Sequence, residues 1–186
     1  MVEKFNQNTE SRVTLEPGVT LEPGITLKQG VTLESRVIVK YKLDKGASPP
    51  FQATDGSAGF DIALLEDVHI NPSSIISNKL HVGVTLINTG LYLEIPKGYV
   101  GKLYVRSSIG IKKGLALANG TGIIDSDYRG EVIVAIRSFN AESFVLKKGE
   151  RIAQLLIEKA EPVGFVEVDE LEDTKRGEGG IGSTGA

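Results

Sequence analysis

The chain contains no cysteine. Disulfides, thiol nucleophiles, cysteine-bound zinc and iron–sulfur clusters are therefore excluded. It has only two histidines, His69 and His81, too few for a histidine-rich metal centre. His69 stands beside Asn71-Pro72 and reads as a surface-loop residue, while His81 falls in an expected strand; neither is expected to be catalytic. No apolar run approaches the ~18 residues of a membrane span. The polar start, Met1 to Asn8, lacks the apolar stretch of a signal peptide. The expectation is a soluble cytoplasmic protein, in the host cell if the source is viral, with no membrane partner. Charge of one sign is also missing: Lys+Arg 21 against Asp+Glu 24 leaves −3. That excludes a broad basic surface for nucleic acid but leaves room for a small anion site made by a few arginines.

Glycine is in excess, at 22 of 186 residues, against a usual share of about 7%. The 40% apolar share is enough for one core. Residues 1–36 read as an N-terminal arm. Within it Val13-Thr14-Leu15-Glu16-Pro17-Gly18 recurs with a period of six through Arg36, four units in residues 13–36. Hexapeptide repeats can wind into a β-helix, but four units bury too little surface alone. Three arms in a trimer would cover one another; the plainer reading is a loosely ordered arm without a chemical role. Its partner is open.

Residues 37–166 read as the core. Val37–Leu43, Leu91–Ile95 and Val132–Ile136 alternate as strands, and Asn71-Pro72, Asn88-Thr89-Gly90, Pro96-Lys97-Gly98, Asn119-Gly120 and Lys148-Gly149 read as turns. Many short strands with such punctuation predict an all-β sandwich, jelly roll or barrel, with one short helix near Ser107–Lys113. Residues 167–186 form a tail that begins acidic and ends glycine-rich, suited to laying backbone N–H groups on a ligand.

Four segments carry candidate chemistry. Arg106-Ser107-Ser108 opens the expected helix, where a guanidinium, hydroxyls and helix N–H groups can grip phosphate; Ser107 as an ordinary N-cap is the plain alternative. Gly122 to Gly130 holds Asp125, Asp127 and Tyr128; Asp127-Tyr128-Arg129-Gly130 fits a type I turn, which leaves Asp125 and the tyrosine unexplained. Asp61 lies inside the apolar run Ala58-Gly59-Phe60-Asp61-Ile62, so it needs a backbone donor, an arginine or a metal-bound water. In Gly149–Ile157 a regular strand would put Ile152, Gln154 and Leu156 on one face and Arg151, Ala153 and Leu155 on the other. Gln154 then needs a partner, a backbone group before a ligand.

In this order, these segments resemble the homotrimeric dUTP diphosphatases (dUTPases), from about Val37 to the C-terminus. Five stretches match the family's motifs: Ala58–Asp61, Arg106–Gly110, Asn119–Gly130, Gly149–Gln154 and Arg176–Gly185. The resemblance implies a jelly-roll-like β-barrel subunit (a β-clip) in a threefold homotrimer, each active site built from three chains. One chain would supply Asp61, Arg106 and Gln154, a second the β-hairpin Asn119–Tyr128, and a third its glycine-rich arm, residues 167–186.

The implied reaction converts dUTP and water to dUMP and pyrophosphate, clearing dUTP from the nucleotide pool and supplying dUMP for dTMP synthesis. Asp125 would activate the attacking water, and Tyr128 would lie under the deoxyribose. Asn119, with backbone groups of Gly122 and Ile124, would read uracil. Arg106, Ser107, Ser108 and Gln154 would hold phosphates, and Arg176, Ile181, Gly182, Ser183 and Thr184 would close over the nucleotide. Mg²⁺ would ride on the triphosphate, with Asp61 an outer-shell partner through water. Ile181 stands where the family usually carries an aromatic. Two alternatives stay open: a dCTP deaminase or bifunctional deaminase-diphosphatase, for which Glu131 is the nearest spare carboxylate, and a regulatory binding protein that kept the fold.

Overall fold

The computed structural model describes residues 37–76, 79–81 and 83–180. The repeats at 13–36 and Ile181, Gly182, Ser183 and Thr184 lie outside the described residues. Two four-stranded sheets carry the fold. One runs β1 (Lys40–Leu43), β6 (Val84–Glu94), β10 (Glu131–Ser138), β8 (Leu115–Leu117). The other runs β2 (Phe60–Ala63), β12 (Arg151–Lys159), β7 (Tyr99–Val105), β9 (Gly122–Ile124). Two small antiparallel pairs complete it: β3 (Val68–Ile70) with β11 (Phe144–Leu146), and β4 (Ser74–Ile76) with β5 (Lys79–His81). Among the described residues the strand pairings are antiparallel, and the order interleaves distant segments, as expected of a jelly-roll-like all-β fold.

Alternation drives the burial. Val132, Val134 and Ile136 of β10 point inward, while Ile133 between them is exposed. With Leu91, Leu93, Leu103, Ile152 and Leu155 they form one apolar core between the sheets. Among the described residues no helix is long and apolar enough to cross a membrane.

Four local expectations change. Asn88-Thr89-Gly90 is no turn but lies within β6, where the β6–β10 register slips between Glu131 and Ile133. Thr89 Oγ1 donates to the Val132 carbonyl at 2.6 Å, Glu131 Oε1 accepts the Gly90 N–H at 2.7 Å, and Gly90 takes a φ of 66°. The residues that resemble a turn build a bulge instead. The strand read from Val37 begins at Lys40, and His69, exposed as expected, is on β3 rather than in a loop. The expected short helix is a single turn of π-type helix, Ser108–Lys112, anchored by buried Ile109.

Candidate active site

β2, β12 and β7 lie side by side, and their register sets Asp61 opposite Gln154 and Gln154 opposite Tyr104. Asp61 is only 3% exposed. Such a carboxylate is stable only with cationic or hydrogen-bonding partners, and three side chains supply them. Arg106 Nε lies 2.9 Å from Oδ1, Arg151 Nη1 donates to Oδ2 at 3.0 Å, and Gln154 Nε2 donates to Oδ1 at 3.3 Å. The Arg106 N–H is not aimed along its contact, so that pair is ionic rather than an aligned hydrogen bond. One acid between two guanidinium groups leaves a net positive cluster, suited to an anion.

Arg151 is the residue that sequence reasoning missed. Regular alternation places it on the face opposite Gln154. The β2–β12 register slips between Arg151 and Ala153, and this bulge turns Arg151 to the side of Gln154. Its guanidinium also sits 5.4 Å from the centroid of the Phe51 ring. The partner of Gln154 is thus a side chain, not a backbone group. The available signal is the place of Asp61 inside an apolar run, which asks for charged or hydrogen-bonding partners without saying which.

Arg106 directly follows β7 and opens the helical turn. Its N–H is held by the Ile152 carbonyl at 3.2 Å, and its carbonyl accepts from Ile109 and Gly110 at 2.9 Å each. Ser107 is no ordinary N-cap: its backbone is already helical, with φ −54° and ψ −41°, and its side chain makes no capping bond. It is exposed, and Ser108 is half-buried.

The segment Asn119–Tyr128 is not a hairpin. β8 pairs with β10, whereas β9 crosses to the other sheet and pairs with β7. Asn119 is exposed in the turn before β9. Gly122 lies so close to Leu103 that a Cβ would stand 3.0 Å from the leucine Cβ. Ile124 is buried in the core, which leaves only its backbone to face a ligand. The expected Asp127–Gly130 turn is displaced by two residues: the Tyr128 N–H donates to the Asp125 carbonyl at 3.1 Å. Asp125 is exposed on the wall of a concavity of about 700 Å³ shared with Glu94, Pro96, Lys97, Asp127 and Arg129. Glu131, the spare acid of a deaminase, is engaged by the Gly90 N–H.

Asp125 and the Asp61 cluster do not meet in one chain. Ile124 pairs with Gly101, and Arg106 lies five residues further along β7. At about 3.3 Å per residue and about 4.8 Å per strand, Arg106 and Asp125 stand about 15–20 Å apart. In the exposed tail, Arg176 Nε donates to the Gly179 carbonyl at 2.9 Å.

A divalent cation fits the Asp61 cluster only indirectly. Oδ1 already faces Arg106 and Gln154 and Oδ2 accepts from Arg151, which leaves one acceptor position on Oδ2 for a metal-bound water. Among the described residues no group of three acids or histidines is gathered for direct ligation. The donor set suits a cation carried in by an anionic ligand.

Comparison with known proteins identifies the family. A family model described as dUTPase matches residues 45–185. The deoxyuridine 5′-triphosphate nucleotidohydrolase of Zymomonas mobilis is 40% identical over 146 residues, 77% of this chain and 94% of that protein. The one from Desulfitobacterium hafniense is 42% identical over 151 residues, 80% of this chain and 94% of that protein. Among solved structures, the dUTPase of Staphylococcus bacteriophage 80alpha with dUPNHPP superposes with a TM-score of 0.69 at 30% identity, covering 80% of this chain and 99% of that one. With the motifs in order on a matching fold, and the family model spanning most of its length, this chain belongs to the dUTPase family.

Proposed function

We propose that the chain hydrolyses dUTP to dUMP and pyrophosphate at sites completed by three copies of itself. The observation that carries this reading is the split of the machinery. A positive cluster at Arg106, Arg151, Gln154 and Asp61 spans β2, β12 and the end of β7, and the exposed acid Asp125 follows β9 at the other end of its pairing with β7, too far away to serve the same phosphate within one chain. A threefold assembly lets one subunit's cluster face another's Asp125. Two features favour it. Leu86 is 67% exposed, Val84 and Ile133 are exposed near it, and Phe165 and Val166 just before the tail and Leu171 within it are bare. That much uncovered apolar surface asks for a partner.

In this reading Asp125 orients a water and takes its proton as the water oxygen bonds to the α-phosphorus. The bond from that phosphorus to the bridging oxygen breaks, and pyrophosphate leaves with the electron pair. Arg106, Ser107, Ser108 and Gln154 hold the phosphates and neutralise the growing charge, while Arg151 keeps Asp61 and so Arg106 in place. Mg²⁺ on the triphosphate would supply further charge neutralisation, with Asp61 touching it through water. Tyr128 lies under the deoxyribose, and Asn119 with the Gly122 and Ile124 backbone reads the uracil edge. The arm of a third chain, with Arg176, Ile181, Gly182, Ser183 and Thr184, closes the site against solvent. The product dUMP is then available for dTMP synthesis.

The test is pyrophosphate release with Mg²⁺ from dUTP, dCTP, dTTP and UTP. Hydrolysis confined to dUTP is expected; ammonia release from dCTP, or binding without turnover, would replace this reading with one of its alternatives. Isoleucine at 181 covers the base without aromatic stacking, which is worth about 0.5–1.5 kcal/mol. Ile181→Phe should therefore lower KM for dUTP several-fold in the same assay, and an unchanged KM removes that role.

A further inference from the structure

Gly130 has no conformational reason to be glycine. It is not among the residues with positive φ, and the turn that precedes it closes between Asp125 and Tyr128 without it. What it lacks is room. A Cβ built on Gly130 would land on Tyr128 Oη, with Cζ 2.5 Å and Cε2 2.8 Å away. Carbon atoms in contact settle at about 3.5–4.0 Å, so the ring lies against the bare backbone of Gly130 where any other residue would hold it off.

The ring is also tied in that position. Tyr128 Oη donates to the Glu131 carbonyl at 2.9 Å. Glu131 in turn accepts the Gly90 N–H through Oε1 at 2.7 Å, at the bulge that joins β6 to β10. The hydroxyl end is thus fixed to a sheet and rests on Gly130, and the residue is still 44% exposed. An aromatic ring anchored at its tip and still partly open to solvent is suited to supporting a ligand.

We propose that Gly130 is a positioning residue for sugar selection: its missing side chain is the seat that sets the height of the Tyr128 ring, and the ring in turn tests the sugar for a 2′-hydroxyl. This rests on the reading that Tyr128 faces the deoxyribose. A methyl group at 130 raises the ring by about an ångström. The deoxyribose loses contact distance it needs, and the ring no longer stands in register with the 2′ position. Selectivity that depends on close steric fit is sensitive to displacements of this size.

The experiment is calorimetric binding of dUpNHpp and of its ribose counterpart UpNHpp to the full chain. Four proteins are compared: parent, Gly130→Ala, Tyr128→Ala and the double variant. For the parent a strong preference for the deoxy analogue is expected. Gly130→Ala should weaken dUpNHpp binding and compress the deoxy-to-ribo ratio at least tenfold. In the Tyr128→Ala background the same substitution should change either quantity by less than twofold, because the clashing ring is gone. If Gly130→Ala acts equally with and without the ring, or leaves the ratio intact, the proposal is overturned. A parent that does not prefer the deoxy analogue overturns the underlying reading of Tyr128 instead. Should Gly130→Ala be too unstable to titrate, its melting decides. Restored melting in the double variant, measured against Tyr128→Ala, supports the seat, and no restoration refutes it.

Discussion

Asp61 and Asp125 stand at opposite edges of the sheet β2-β12-β7-β9 and are held by different means. Asp61 is buried, with Arg106, Arg151 and Gln154 on its two oxygens and the backbone of Phe51 pairing with its own from outside. Asp125 is exposed, and its fixed contact is made by its carbonyl, which receives the Tyr128 N–H. In the first region side-chain charge holds the backbone together; in the second the backbone holds a side chain out. A carboxylate committed to two cations is suited to fixing them in place. One that faces an open concavity is suited to handling a proton.

The same substitution at both positions separates these roles. Asp125→Asn should lower kcat for dUTP by about 10²–10⁴-fold, the usual worth of a general base. Its melting temperature should stay with the parent, since an exposed residue away from buried networks contributes within about 0.5 kcal/mol. Activity close to the parent's would end the role given to Asp125. Asp61→Asn should do the reverse in stability. It leaves two guanidinium groups without their counter-ion, at a cost of about 2 kcal/mol. That is below the value for a fully buried pair because Arg151 is 40% exposed. In a chain of this length that is a fall of about 4–8 °C in melting temperature. Activity should also fall, as Arg106 loses its anchor. If Asp61→Asn melts with the parent while Asp125→Asn does not, the contrast between the regions is wrong.

The contrast also explains what was legible in the sequence. The core strands could be read because Val132–Ile136 and Leu91–Ile95 alternate, and alternation is a local property. The need of Asp61 for a partner could be read because charge inside an apolar run is costly wherever the chain goes. The identity of the partners could not. Arg106 and Arg151 lie 45 and 90 residues further along the chain, and Arg151 reaches Asp61 only because a bulge resets the phase of β12. Bulges carry no reliable local mark: Asn88-Thr89-Gly90 has the composition of a turn yet sits inside an eleven-residue strand. Gly130 misled in the opposite sense, since it fits the last position of a turn that forms two residues earlier.

A third acid sharpens the comparison because it has charged partners without burial. Asp67 is exposed; Lys147 Nζ lies 2.8 Å from its Oδ2, and the Lys148 N–H donates to Oδ1 at 2.8 Å. The Lys147 ammonium, followed by the Lys148 amide, holds its carboxyl below the usual carboxylate value. With the folded pKa lowered, its stabilising effect is complete above the unfolded value of about 3.9 and is lost as pH falls through the folded value. Asp67→Asn should therefore leave the urea midpoint nearly unchanged at neutral pH, because exposed pairs contribute little there. It should flatten the decline of that midpoint below about pH 4, and 1 M salt should erase the difference. A large loss at neutral pH would mean that charged partners alone, without burial, suffice to make an acid structural here. The distinction drawn between Asp61 and Asp125 would then rest on partners rather than on burial.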